Sequence, residues 1–208
     1  MSRRYSPFTS STERMRGILC ALALIAADTA AAERFTVTPG AEGNLVTFES
    51  KATMETFHGK TNQIGGYVAL DPAAVGDSVH VYLKVDMASL DTGISMRNRH
   101  MRENHLETDR YPNAIFRGAA VTEGAGAALA AGSTARFTIA GTMELHGVTQ
   151  PLQASVEVAL ETDGARRLRV KAAFPITLAD YDIARPKFLL LKLGETQMVT
   201  VELVAEAP

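Results

Sequence analysis

The 208-residue sequence predicts an all-β, antiparallel fold. Three observations carry that expectation: long runs with an apolar residue at every second position, turn-forming residues between them, and only two irregular, charged stretches that break the period. The composition agrees with a folded globular chain, at 46% hydrophobic and 21% charged residues. It also excludes several classes. A formal charge of −2 provides no field for a polyanion, and an aromatic share of 6% without Trp offers no stacking platform, so no nucleic-acid partner is expected. One Cys can form neither an internal disulfide nor a thiolate metal cluster.

Residues 1–32 are expected to be a cleavable secretory signal peptide rather than part of the fold. Arg3, Arg4, Arg14 and Arg16 lead into an apolar run from Gly17 to Ala27, and Ala30 and Ala32 meet the small-residue requirement for cleavage after Ala32. As a helix that run is about 16 Å long, too short to span a bilayer. Cleavage removes the only Cys, Cys20, and makes the remaining chain, 33–208, more acidic, since four cations leave with only Glu13 and Asp28. With no composition break or repeat inside it, 33–208 is expected to be a single domain.

The clearest strand is Val79–Met87, where apolar and polar residues alternate as on a sheet with one buried face. The same period marks Phe137–Leu145, Leu152–Val158, Leu168–Ile176 and Val199–Leu203. Leu45–Met54, Gly65–Leu70 and Ala114–Val121 bring the expected strands to about eight. Connections such as Asp71-Pro72, Gly124-Ala-Gly126 and Gly147 to Pro151 carry turn chemistry. The exception, Ser89–Tyr111, is charged and aperiodic and is expected to form a short helix with a loop, inserted around residues 92–108. A second irregular stretch runs from Ala179 to Leu191.

Eight strands with one apolar face bury it either as a sandwich or by closing into a barrel. The inward set includes Phe48, Met54, Leu83, Val85, Phe116, Phe137, Ile139, Met143 and Phe174, which are the candidate lining residues of an internal ligand site. Gly141, Ala114, Ala154 and Ala172 among them would leave room, yet small residues equally suit the taper of a filled barrel. Pattern alone keeps both readings open.

Chemistry-bearing motifs are sparse. His58 and His146 each precede Gly and read as turn residues, and His80 falls on a polar strand face. His100 and His105 are five apart, on different faces of a helix, and no metal-ligand spacing occurs. No nucleophile elbow and no phosphate loop is found. The densest local charge, Arg97, Arg99 and Arg102, reads either as a solvated helix face or as an anion-facing cluster at a cavity mouth. No catalytic residue and no metal site is assigned. A His-dependent lipid-modifying enzyme using His100 or His146 as general base is the rival reading, and a filled barrel serving as an interaction or stress-response module is another.

Several ordered motifs nevertheless stand together: Asp91-Thr-Gly93, Arg97-Asn-Arg-His100-Met101, Tyr111-Pro-Asn-Ala-Ile-Phe116, Gly141 to Pro151 containing Leu145-His-Gly-Val-Thr149, and Leu178-Ala-Asp-Tyr-Asp-Ile183. In combination they resemble the signatures of the YceI-like, polyisoprenoid-binding family, from about Phe35 to Leu203. The resemblance implies a lipocalin-like eight-stranded barrel exported to the bacterial periplasm, often as a homodimer, with no enzymatic activity and no cofactor. Its expected ligand is a long isoprenoid lipid or quinone held in the apolar interior, with transient membrane contact. Carried over by motif, Arg97 and His100 are the expected head-group residues and Phe116 an inward aromatic. Met101 stands where Leu is usual, and His105-Leu-Glu-Thr-Asp109 replaces a Phe-rich segment.

Overall fold

A computed structural model describes residues 32–208 apart from 52–55, 77–78, 127, 186 and 189–190. The expected export signal up to Ala31, with Cys20, and the candidate lining residue Met54 lie outside the described residues.

Among the described residues twelve strands form in the order β1 (Glu33–Val37), β2 (Leu45–Lys51), β3 (Thr56–Thr61), β4 (Ile64–Leu70), β5 (His80–Asp86), β6 (Asn113–Glu123), β7 (Thr134–Leu145), β8 (Val148–Glu161), β9 (Arg167–Thr177), β10 (Lys187–Phe188), β11 (Leu191–Lys192) and β12 (Thr196–Glu206). One α-helix, α1 (Ser95–Asn104), lies between β5 and β6. Short 3-10 turns at Met87–Ser89 and Leu178–Tyr181 and a small β10–β11 hairpin complete the chain.

The main sheet closes into an eight-strand antiparallel barrel, because two of its staves are each made of two strands. β1 and β2 both run antiparallel to β12, β1 meeting its end at Thr36↔Glu206 and β2 its first half from Glu202↔Leu45 to Met198↔Glu49. Their partners β4 and β3 continue one another in the same way. The first stave breaks at residues 38–44, where Gly40 and Gly43 take positive φ angles of 76° and 88°. Asn44 stitches that break: its Nδ2 donates to the Thr38 carbonyl at 2.8 Å, and its Oδ1 accepts from the Val204 amide at 3.0 Å on β12. The remaining order, β4-β5-β6-β7-β8-β9-β12, is a meander of neighbouring strands. With β12 paired to both β9 and β1, the barrel has no long free edge.

The expected strands recur, β4, β6, β7, β8, β9 and β12 with extended ends and β2 and β5 with shorter ones, while β1, β3 and the short β10 and β11 are additional. β3 escapes the period-two signal because Phe57 is its one large apolar residue and Gly59 replaces an inward side chain. That glycine is required: a Cβ there would overlap the Phe48 ring, which covers it from the paired strand. His58 therefore lies on an exposed strand position rather than in a turn. Gly141 also has a different role from the one expected. A Cβ at that position would strike the Arg117 carbonyl and the Cα of Gly118 opposite, so Gly141 permits close approach of β6 and β7 beside a register shift. It does not line the interior, whereas Ala114, Ala154 and Ala172 do.

Strand directions place α1, the β7–β8 turn and the segment 178–195 at one end of the barrel. The opposite end is closed by the connections 71–79 and 124–133, in which Val75 and Leu129 are buried. Backbone bonds from Leu129 to Pro72 (2.7 Å) and from Gly126 to Val75 (2.8 Å) hold those two connections together as a floor.

Candidate functional site, an apolar barrel cavity

The barrel encloses a cavity of about 1220 Å³. Pockets for drug-sized molecules span roughly 300–1,000 Å³, so this one suits a larger apolar ligand. It also settles the choice between a filled and a hollow barrel in favour of the hollow one.

Alternation along each strand builds the wall. Phe48 enters from β2, Leu83 and Val85 from β5, Phe116 from β6, Phe137, Ile139 and Met143 from β7, and Phe174 from β9, so every expected lining residue within the described chain reaches the cavity. The structure adds Phe57 of β3 and Ile64, Val68 and Leu70 of β4, while Val199 and Val201 of the expected strand Val199–Leu203 line the cavity together with Leu203. Their period-two spacing was visible in part, but their common facing depends on the strand breaks that turn β1 to β4 into two staves. Leu70, Val79, Val158 and Leu203 reach the floor end, so the cavity runs the length of the barrel.

Polar groups are confined almost wholly to one end. Arg97, His100 and Asn104 of α1 and His105 just after it line the cavity, and Gln197 is the other polar wall residue, its amide donating to the Gly194 carbonyl at 2.8 Å. Ile94, Met96, Met101 and Leu106 line the same end. Ile94 and Met96 are also 52% and 69% exposed, so the cavity meets solvent beside α1.

The motif residues around α1 mainly hold that helix in place. Buried Asn98 accepts from both the amide and the hydroxyl of Thr92, at 2.8 and 2.6 Å, and donates to Asp91 at 2.6 Å. The Asp91 carboxylate also accepts from the Gly93 amide at 2.8 Å, and these bonds, Asn98 first, hold it below the ordinary carboxylate range. Asp91 pairs through its backbone with Lys60 of β3, tying the helix to the β2–β3 hairpin. Arg97 donates to the Thr92 hydroxyl and carbonyl at 2.9 and 2.7 Å and lies 4.6 Å over the Phe57 ring. It thus borders the cavity while bracing α1 to the wall. Arg102 bonds the Ala88 and Asn98 carbonyls, and Arg99 is exposed.

His100 and His105, separated by sequence spacing from a shared helix face, have ring centroids 6.4 Å apart because His105 lies beyond the last helical turn. The His105 Nδ1 donates to the Ala184 carbonyl at 3.0 Å, across 79 residues. Burial pushes its pKa below the ordinary 6.5 despite that bond, and His100 adds to the shift.

His146 takes no part in the cavity lining. With φ values of 52° and 77°, His146 and Gly147 form the two-residue turn between β7 and β8 that matches strand twist. The His146 ring lies 4.6 Å from Tyr111, edge to face, and its Nδ1 donates to the Tyr181 carbonyl at 3.0 Å. A Cβ on Gly147 would press into the Tyr111 ring at 2.5 Å. The Tyr-Pro and Leu-His-Gly motifs therefore interlock as a structural corner, and a general-base role for His146 has no adjoining cavity.

Fold and site together define a class: a closed, lipocalin-like antiparallel barrel with a long apolar interior and a helix over one end. A model of the YceI-like domain matches residues 35–207, and the chain belongs to that family. Its fold is similar to that of a polyisoprenoid binding domain from Saccharophagus degradans implicated in plant cell wall breakdown, with a TM-score of 0.63 and 20% identity over 85% of this chain and 99% of that one. BcnA of Burkholderia cenocepacia follows at 0.62 and 19%, covering 78% and 96% of the two chains. The YCEI protein of Campylobacter jejuni aligns at 0.58 and 17%, covering 72% and 84%. Among curated proteins none matches.

Proposed function

We propose that this protein is an exported, periplasmic carrier that holds one long isoprenoid lipid, of polyprenyl or quinone type, inside its barrel for sequestration, storage or transport. The observation that supports this reading is the cavity of about 1220 Å³, apolar along its length with polar residues gathered at the α1 end. Burying one methylene contributes about 0.8 kcal/mol, so a five-carbon isoprenoid unit gains roughly 3–4 kcal/mol before ordering costs. Several units are held without any bond-making group, which fits a binding protein rather than an enzyme, with no cofactor required. The Saccharophagus domain, described as polyisoprenoid binding, is consistent with the same ligand class.

In this reading the ligand enters beside α1, where exposed Ile94 and Met96 adjoin the interior and make transient contact with a membrane. Arg97 and His100 stand nearest the head group, and the carrier works as a homodimer or as a single barrel with the same interior. Mass spectrometry of an organic extract of the purified protein tests the proposal. An isoprenoid lipid is expected from the native protein and strongly reduced in Ala154→Trp or Ala172→Trp, which fill the wall. Repeated absence of lipid, with no uptake of added quinone or polyprenol, would overturn it.

A further inference from the structure

The polar end of the cavity contains one group whose hydrogen-bonding sense is dictated by its surroundings. His105 is the C-cap residue of α1, held there by the bond from its own amide to the Met101 carbonyl. Its ring borders the cavity, and Nδ1 is engaged by the Ala184 carbonyl at 3.0 Å. A backbone carbonyl can only accept, so the proton must be on Nδ1. In the neutral ring that leaves Nε2, on the far side of the imidazole, as an acceptor with a lone pair. Within the described residues Nε2 makes no hydrogen bond. Ala184 is itself placed by the turn before it: the Ile183 amide bonds the Leu178 carbonyl at 3.1 Å, and Ile183 is buried against the cavity.

The His100 ring, 6.4 Å from that of His105, can donate or accept, and the other polar residues at this end of the cavity differ in kind. Arg97 has only donors, and the side chain of Asn104 offers both senses. A ligand carrying only carbonyl or ether oxygens would leave the Nε2 lone pair of His105 unmatched as water is displaced from the cavity end. A ligand with a hydroxyl would satisfy it.

We propose that His105 is a specificity residue that accepts a hydrogen bond from a hydroxyl on the bound isoprenoid, so that the site prefers a prenol or quinol hydroxyl to the corresponding ether or quinone. This rests on the isoprenoid reading above and goes further by naming the ligand's polar chemistry. The two hydroxyl sources share one interaction, O–H donating to Nε2, and are separated by using both as probes. Burial favours the neutral ring that the interaction requires.

Calorimetric titration of delipidated full-length mature protein at pH 8 with geranylgeraniol and with its methyl ether provides the test. The ether keeps the apolar chain and the oxygen but cannot donate. The native protein is expected to bind the alcohol about 5–20-fold more tightly than the ether, the range of one matched against one unmatched hydrogen bond. A ubiquinol and ubiquinone pair of equal chain length should show the same sense if the quinol is also a ligand. If only the prenol pair discriminates, the hydroxyl source is the prenol. In His105→Phe the ratio is expected to fall to about one while the ether retains its affinity, and His105→Gln, which supplies an amide oxygen acceptor, should restore part of it. Equal affinity of the native protein for geranylgeraniol and its ether, or a ratio unchanged in a folded His105→Phe variant, would overturn the proposal while leaving isoprenoid binding intact. Binding of neither compound would overturn both.

Discussion

The two ends of the barrel are closed by different physical means. At the floor, two connecting loops each bury an apolar residue, Val75 and Leu129, and share backbone bonds, and Phe35 and Leu168, near the starts of β1 and β9 at that end, are inaccessible to solvent. At the α1 end a polar network of Asp91, Thr92, Asn98 and Arg97 holds a helix whose own sequence has little apolar surface. Apolar burial is non-directional and tolerates no cavity without loss, whereas a hydrogen-bonded latch is directional and can open by exchanging its partners for water. In the proposed carrier the two ends have separate roles: a permanent floor and a helix that yields to admit the ligand.

The largest effect is expected at the floor. Phe35→Ala removes a fully buried ring and should cost about 3–5 kcal/mol, measured by chemical denaturation. The loss should be global rather than confined to α1. If it proves small, the floor is not the more firmly packed end. Next comes the latch. Asn98→Leu deletes three hydrogen bonds and strands the buried Thr92 amide and hydroxyl, for about 2–3 kcal/mol. Amide exchange should accelerate over residues 92–106 while β8 and β9 stay protected, and uniform acceleration would remove the contrast between the ends.

A smaller change, about 1 kcal/mol, is expected from Arg97→Leu, which loses the bonds to Thr92 and the contact with Phe57. Its readout is faster ligand loss from loaded protein, since the helix is less firmly braced. The smallest effect is that of acidification. His105 has a folded-state pKa below 6.5, so the unfolded chain takes up a proton more readily; stability is complete above about pH 6.5 and falls as pH drops below it. Asp91, held below 3.8, acts in the same direction at lower pH, its contribution being lost as it protonates. Thermal melts from pH 8 to pH 5 should show a decline that His105→Phe reduces; a flat native profile would place His105 in a less buried setting.

The same contrast explains how much could be read in advance. On β5, Val81, Leu83 and Val85 announce an inward face because a strand's period is local, and the structure places all three on the cavity. β3 was hidden because Gly59 is filled by Phe48 from a neighbouring strand, an arrangement that no window of adjacent residues displays. Gly141 reads as an inward lining position in the strand period, but the structure makes it the contact point of β6 with β7 and leaves it off the cavity wall. At the polar end, Arg97 and His100 could be named from their motif. The meeting of His105 with Ala184 could not, since 79 residues separate them.

What the amino-acid sequence determined by itself was therefore the set of strands with an apolar face and the helical interruption between two of them. Each follows from short-range spacing. Tertiary structure alone decided that β12 would meet β1 and close the ring, that the enclosed space would be a cavity of about 1220 Å³ rather than a packed core, and that the His105 ring at its polar end would be tied through Nδ1 to the Ala184 carbonyl. These depend on pairings between residues far apart in the chain: Thr36 with Glu206 closes the wall, and the Ala184 carbonyl sets the tautomer of His105.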